Sequence, residues 1–199
     1  MQVMTGDEPA EDNGASETGE DVPIRARLTA IGQQFYALSH PDVSDDGSEA
    51  YELVKQLGER GFEREGWGGG RRVFRLPPDA IEAMGLRRDA PTGGFVVKFA
   101  LHAVGGMDGR TQNRREMELS EDPPWPFDEY ILPVSAGEER GFWVIQPYAE
   151  QIEEATPELF EAVGAFSGLG YGSDFSEEHN WGRVNGRLRL IDFGYLNDD

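Results

Sequence analysis

The chain has 199 residues, of which 38 are acidic and 18 basic, and its formal net charge at pH 7 is -20. A charge of this sign repels phosphate groups and anionic lipids, so it argues against general nucleic-acid binding and against docking on a membrane surface. The chain contains no cysteine, which excludes a disulfide framework and a thiolate metal site.

The basic residues are nearly all arginines, because Lys55 and Lys98 are the only lysines. Many carboxylates with almost no lysine indicate adaptation to molar salt, which screens charge repulsion beyond about 3 Å. We therefore expect a protein that resides in a high-salt cytoplasm, or one that is associated with a virus of a halophile. The alternative is an ordinary acidic protein. No apolar run approaches the roughly 20 residues of a spanning helix, and the acidic N-terminus does not resemble a secretory signal.

The first 61 residues divide into two segments. Residues 1–22 contain seven acids, no base and almost no large apolar side chain, so we expect a disordered acidic tail. Residues 23–61 are an N-terminal helical segment, because apolar residues recur at helical spacing over 24–38 and over 49–60.

From residue 62 onward the sequence favours short strands. The predicted strands up to residue 146 cover 62–67, 72–76, 95–100, 130–134 and 141–146, with one helix over 112–119. Beyond residue 146, a helix is predicted over 156–166, where Thr156 is the N-cap. Strands over 181–184 and 188–191 flank Asn185-Gly186, which is the strongest short signal for a hairpin turn.

Lys98 is the first candidate for a functional role, because it lies in the apolar strand Val96-Val97-Lys98-Phe99-Ala100. A buried ammonium group without a partner charge is costly, so a buried Lys98 requires a nearby acid. Glu116 in the helix over 112–119 is the candidate partner. The alternative is a lysine at a sheet edge that faces solvent.

Asp192 is the second candidate, because it places a carboxylate at the end of an alternating strand, next to Phe193-Gly194. Asn180 precedes it by twelve residues, across the predicted hairpin. A carboxylate and an amide oxygen at one hairpin base are suitable ligands for a hard cation such as Mg²⁺. The alternative is a pair of ordinary turn residues.

The glycine-dense stretch between the first two strands is the third candidate, with Gly66, Gly68 and Gly70 among its members. Glycines allow a backbone to approach phosphate groups closely. A flexible hairpin tip is the alternative interpretation.

The order of these features resembles the protein-kinase-like superfamily over roughly residues 62–195, and most closely its small prokaryotic and viral members. The resemblance implies an α+β fold with a kinase-like N-lobe over 62–146, built from an antiparallel sheet and a helix. It also implies a truncated, minimal C-lobe over 147–199 that ends in a β-hairpin. ATP and Mg²⁺ are the cofactors that the resemblance implies.

The resemblance assigns roles to individual residues. In the N-lobe, Lys98 would hold the α- and β-phosphates, Glu116 would orient Lys98, and the glycine-rich loop would cover the phosphates through Gly66, Gly68 and Gly70. At the hinge, Gln146 and Tyr148 would hold adenine through their backbone. In the C-lobe, Asn180 and Asp192 would bind the metal.

The sequence departs from the family at the catalytic base, which normally lies five residues before the metal-binding Asn. Phe175 occupies that position, and Asp174 lies one residue earlier. One interpretation is a one-residue insertion that still presents Asp174 as the catalytic base. The other is that the chain has lost the base. The chain also stops at Asp199, without the helical platform that holds a kinase substrate.

Three hypotheses follow from this comparison. The first is a minimal phosphotransferase with a protein or other acceptor as its substrate. The second is a catalytically inactive kinase-like module that binds nucleotide or a protein partner. The third is a toxin–antitoxin or viral accessory protein whose acidic surface is its function.

Overall fold

The computed structural model describes residues 22–42, 47–67, 70–86, 91, 93–102, 108–125, 127–152, 154–167 and 173–194. Within them the fold is α+β, as predicted. The acidic tail lies almost wholly outside the described residues. The helices are α1 (Ile24–Leu38), α2 (Ser48–Glu59), α3 (Pro78–Ala83), α4 (Gly109–Glu121) and α5 (Pro157–Ser167). The strands are β1 (Glu63–Trp67), β2 (Arg71–Arg75), β3 (Phe95–Ala100), β4 (Ala136–Gly137), β5 (Trp143–Pro147), β6 (Glu150–Gln151), β7 (Trp181–Val184) and β8 (Arg187–Leu190).

Five of these strands form one antiparallel sheet in the order β1-β2-β3-β5-β4. The central strand β3 is buried along its whole length, which explains its continuous apolar sequence. Its residue Lys98 is opposite Val73 of β2 and Val144 of β5. The prediction of a strand over 95–100 is confirmed.

The predicted strand over 130–134 is wrong. Ile131 forms an isolated bridge with Leu190, and the amide of Leu132 donates to the Leu190 carbonyl, so this segment pairs with the C-terminal hairpin. Strand β5 pairs with β3 on one side and with the two-residue strand β4 on the other. Pro133 has no N–H to contribute to a ladder, which limits the segment to this short contact.

The two faces of the five-stranded sheet are covered by different helices. Successive residues of a strand point to opposite faces. Phe99 lies against Phe35 of α1, with ring centroids 5.5 Å apart. Lys98, the residue before Phe99, points to the opposite face, toward α4, and contacts Glu116. The face with α1 and α2 carries the first of two hydrophobic clusters of buried residues.

Helix α4 is fixed to the sheet by polar contacts. Asp108 caps its N-terminus by accepting hydrogen bonds from the amides of Arg110 and Thr111. Asn113 is fully buried, and its side-chain amide donates to the Lys98 carbonyl at 3.3 Å and the Gly141 carbonyl at 2.9 Å. These contacts fix the position of α4 beneath β3 and β5.

The C-terminal hairpin of β7 and β8 joins β6 in a second, three-stranded sheet. Asn185 and Gly186 form its turn with φ values of 52° and 77°, as the Asn-Gly signal predicted. The second hydrophobic cluster packs around this hairpin and includes Trp181 and Phe193. None of the helices in the described part of the chain combines the length and apolar character that a membrane crossing requires.

Candidate functional site

A cleft of about 800 Å³ lies on the face of the five-stranded sheet that carries Lys98. Small-molecule sites in proteins commonly have volumes of about 300–1,000 Å³. Of the residues selected from the sequence, those that line the cleft are Gly66, Gly70, Lys98, Gln146, Tyr148, Asn180 and Asp192. The fold therefore brings together residues from both halves of the chain.

Lys98 and Glu116 form a buried ion pair at this cleft. The ammonium nitrogen of Lys98 lies 3.0 Å from both carboxylate oxygens of Glu116 and 2.5 Å from the Ile191 carbonyl. Lys98 is 6% exposed and Glu116 is fully buried, so a solvent-facing lysine is excluded. Burial lowers the pKa of Lys98, and the neighbouring charge of Glu116 acts in the opposite direction.

Arg71 is a third charged residue in this network, and the sequence analysis did not select it. One of its terminal nitrogens lies 2.6 Å from a carboxylate oxygen of Glu116. The other donates to a carboxylate oxygen of Asp192. These contacts hold the guanidinium between two acids, and Arg71 is only 3% exposed.

Strand alternation was the signal that would have identified Arg71. The register places Arg71 opposite Ala100 and Val73 opposite Lys98, so Arg71, Val73 and Lys98 point to the same face. Arg71 also follows directly after Gly70. A glycine turn followed by an arginine on the lysine face is a stronger pattern than the glycines alone.

Asp192 lies at the end of the hairpin, and its side chain is 42% exposed. Partial burial raises the pKa of Asp192, but the positive charges of Arg71 and Lys98 outweigh it and lower the pKa overall. The carboxylate is therefore ionised at neutral pH. Together with Glu116 it balances the two cations, so this network is close to neutral within a strongly acidic protein.

The hairpin base is held close to α4 by backbone contacts. The Asn180 carbonyl accepts from the amides of Ile191 at 2.7 Å and Asp192 at 3.3 Å, which places Asn180 beside Asp192 as predicted. The Phe193 amide donates a hydrogen bond to a carboxylate oxygen of Glu116 at 3.3 Å. At Gly194 an added Cβ would lie only 2.7 Å from the Cβ of Gln112, so glycine permits the close approach to α4.

The glycine segment is described only in part. Gly66 lies in β1 at a register shift opposite Val73, while Gly68 lies outside the described residues. Gly70 is buried, and its carbonyl accepts from the Leu101 amide at 2.8 Å. The end of this segment is therefore anchored to the sheet beside Arg71.

At the other end of the cleft, the predicted hinge has one backbone donor already in use. The Tyr148 amide donates to the Gly94 carbonyl at 2.8 Å and is not open to adenine. Gln146 is fully buried and donates to the Leu132 carbonyl at 2.9 Å. Among the described residues, no hydrogen-bond partner is found for its buried side-chain oxygen, and Gln146 lines the cleft.

The predicted base, Asp174, lies in a short 3₁₀ helix over Ser173–Ser176, and its side chain lies outside those that the structure describes. Phe175, at the position of the family's catalytic aspartate, packs against Phe166 of the second cluster with ring centroids 5.5 Å apart. Phe175 is therefore a core residue. The assignment of Asp174 as a base stays a prediction.

No protein-family model and no curated protein matches this chain. Among the side chains that the structure describes, no group of three or more His, Cys, Asp or Glu residues is arranged to hold a metal ion. The kinase-like resemblance thus remains a prediction from the order of the sequence features, and the contacts of the cleft are the basis for a functional proposal.

Proposed function

We propose that this chain is a kinase-like protein that binds ATP in the cleft beside Lys98. The observation that carries the proposal is the buried pair of Lys98 and Glu116, next to Asp192 at one end of the cleft. A protein of charge -20 repels a nucleotide at long range, so binding requires cations fixed at the site. Lys98 and Arg71 supply such cations, and charge-assisted hydrogen bonds to phosphate are stronger than neutral ones.

The dimensions and lining of the cleft support a nucleotide rather than a single phosphate ion. Its apolar wall includes Val73, Val96 and Leu132, which suit the flat face of a base. The side-chain oxygen of Gln146 is an acceptor of the kind that the adenine amino group requires. In this proposal the base occupies the hinge end and the phosphates occupy the Lys98 end.

The cofactor Mg²⁺ fits the described arrangement less well than ATP does. Asn180 and Asp192 both border the cleft and would be its ligands. However, Arg71 already binds one carboxylate oxygen of Asp192, and Glu116 is occupied by Lys98 and Arg71. A Mg²⁺ ion at Asp192 would therefore bind the second carboxylate oxygen with the positive guanidinium of Arg71 alongside, which makes this arrangement a poor fit for a metal ion.

We place nucleotide binding ahead of phosphoryl transfer for the same reason. Transfer depends on cations that neutralise the phosphates and on a base that orients the acceptor. The contact between Arg71 and Asp192 favours the second hypothesis, a kinase-like module that binds nucleotide without catalysis. A minimal phosphotransferase with Asp174 as its base is the extension that this arrangement favours less.

Isothermal titration with ATP in molar KCl tests the proposal. We expect saturable binding to the wild-type protein, and a loss of at least about tenfold in affinity for Lys98→Met because a phosphate partner is removed. Arg71 remains beside Glu116 in this variant, so no acid is left unpaired.

Lys55→Met is the matched control, because Lys55 is the only other lysine and its side chain is 55% exposed on α2. Its affinity for ATP should equal that of the wild type. The proposal is wrong if ATP does not bind with or without Mg²⁺, or if the two lysine variants bind equally well.

A further inference from the structure

We infer that Arg71 is the resident cation of the cleft and takes the place of a divalent metal at Asp192, so that ATP binds without Mg²⁺. This inference rests on the proposed function. It assigns to Arg71 a role in ligand binding that neither the sequence motifs nor the kinase-like resemblance indicated.

The position of Arg71 is fixed by the fold. Its backbone lies at the start of β2, in register with Ala100 of the buried strand β3. Its guanidinium contacts the fully buried Glu116 on one side and Asp192 on the other. A side chain held by strand pairing and by two acids does not swing freely out of the site.

Arg71 remains charged in this environment. Burial alone would lower the pKa of its guanidinium, but the charges of Asp192 and Glu116 outweigh burial and raise it. A permanent cation therefore neutralises Asp192. Arg71 holds one carboxylate oxygen of Asp192, so a Mg²⁺ ion there would bind the second oxygen with the guanidinium alongside it.

Binding of Mg²⁺ at Asp192 would be unfavourable. It would bring a dication close to both Arg71 and Lys98, which already balance the charge of this carboxylate. By contrast, metal-free ATP brings negative charge to a cleft that is lined by two cations. A guanidinium has five N–H donors in a fixed fork that matches phosphate oxygens, and Arg71 borders the cleft.

The test is a titration with ATP in molar KCl, performed once with EDTA and once with excess MgCl₂. For the wild-type protein we expect the affinity in EDTA to equal or exceed that in Mg²⁺. For Arg71→Met we expect the affinity in EDTA to fall by at least about tenfold, since a phosphate donor is lost. In that variant Mg²⁺ should restore part of the affinity, because Asp192 is released.

Two further variants keep this result interpretable. Arg72→Met is the matched control, since Arg72 is the next residue of β2 and points to the opposite face; its ATP affinity should not change. Arg71→Lys keeps a cation beside Glu116 and Asp192, so it should lose less ATP affinity in EDTA than Arg71→Met does. The comparison of the wild type in EDTA and in Mg²⁺ needs no variant, so it tests the inference even if both substitutions prove unstable. Circular dichroism checks that each variant is folded.

The outcomes separate the two proposals. Binding of ATP to the wild type only in the presence of Mg²⁺ would overturn the role of Arg71 and leave the proposed function intact. Equal affinities of wild type and folded Arg71→Met in EDTA would also overturn it. Absence of ATP binding in every condition would overturn the proposed function and this inference with it.

Discussion

Arg71 and Asp192 form an ion pair that joins the first residue of β2 to the end of the C-terminal hairpin. Glu116 of α4 contacts Arg71 from the other side and also pairs with Lys98. Four segments of the chain, β2, β3, α4 and the end of the hairpin, are thereby connected through one network of four charges. The stability of the protein and the chemistry of its cleft depend on the same residues.

Removal of the central acid should destabilise the fold strongly. Glu116→Gln leaves Lys98 and Arg71 without their shared carboxylate, and breaking a buried ion pair in this way costs about 3–5 kcal/mol. Urea denaturation in molar KCl measures the change in unfolding free energy. Glu118→Gln is the control, because its side chain is 67% exposed and lies 3.8 Å from the half-buried Arg115. A similar effect of both substitutions would contradict the network.

The phenylalanine after Asp192 should matter as a core residue. Phe193 is 2% exposed within the second hydrophobic cluster, and truncation of such a buried ring to alanine costs about 3–5 kcal/mol. Phe160→Ala is the control, because Phe160 on α5 is 67% exposed. Thermal unfolding should therefore distinguish the two variants clearly. An unchanged melting temperature for Phe193→Ala would show that the hairpin does not pack as described.

The contribution of Asp192 to stability should depend on pH in a defined direction. Its pKa in the folded protein is lowered, mainly because the charges of Arg71 and Lys98 outweigh burial. Its stabilising effect is therefore fully present above the pKa of an unfolded aspartate, about 3.9, and is lost as the pH falls through the lower folded value.

The corresponding measurement compares the unfolding free energies of wild type and Asp192→Asn. We expect their difference to be constant from about pH 8 to about pH 5 and to shrink below about pH 4. Tyr51→Phe, at an exposed position on α2, should show no such change. A difference that varies between neutral pH and about pH 6 would mean that Asp192 does not have a lowered pKa.

Salt should stabilise the folded protein. The net charge of -20 makes carboxylate repulsion substantial at low ionic strength, and molar salt reduces the screening length to about 3 Å. We predict that the melting temperature rises steadily from low to molar KCl. A melting temperature that is constant or falls over this range would argue against adaptation to high salt.

Local sequence patterns predicted much of the fold. The helix over Ile24–Leu38 and the strand over Phe95–Ala100 have the predicted bounds, because apolar periodicity and a continuous apolar run are strong signals. The hairpin turn at Asn185-Gly186 was equally clear. By contrast, β4 has only two residues and was not predicted, since no pattern of alternation exists over such a length.

The candidate site was predictable only where its residues were rare. Lys98 was conspicuous as one of two lysines, and an acid near it was required by the cost of burying a charge. Arg71 was one of many arginines, and its contact with Asp192 spans 121 residues of sequence. Such a contact depends on strand register and on the packing of α4, which local patterns do not specify.

A structure of the protein with ATP, determined in molar KCl, is the most direct test that this cleft is a nucleotide site. We predict that the triphosphate lies within hydrogen-bond distance, about 3 Å, of the Lys98 ammonium nitrogen, with the adenine at the end of the cleft near Gln146. The account is contradicted if ATP binds elsewhere on the protein, or if its phosphates do not contact Lys98.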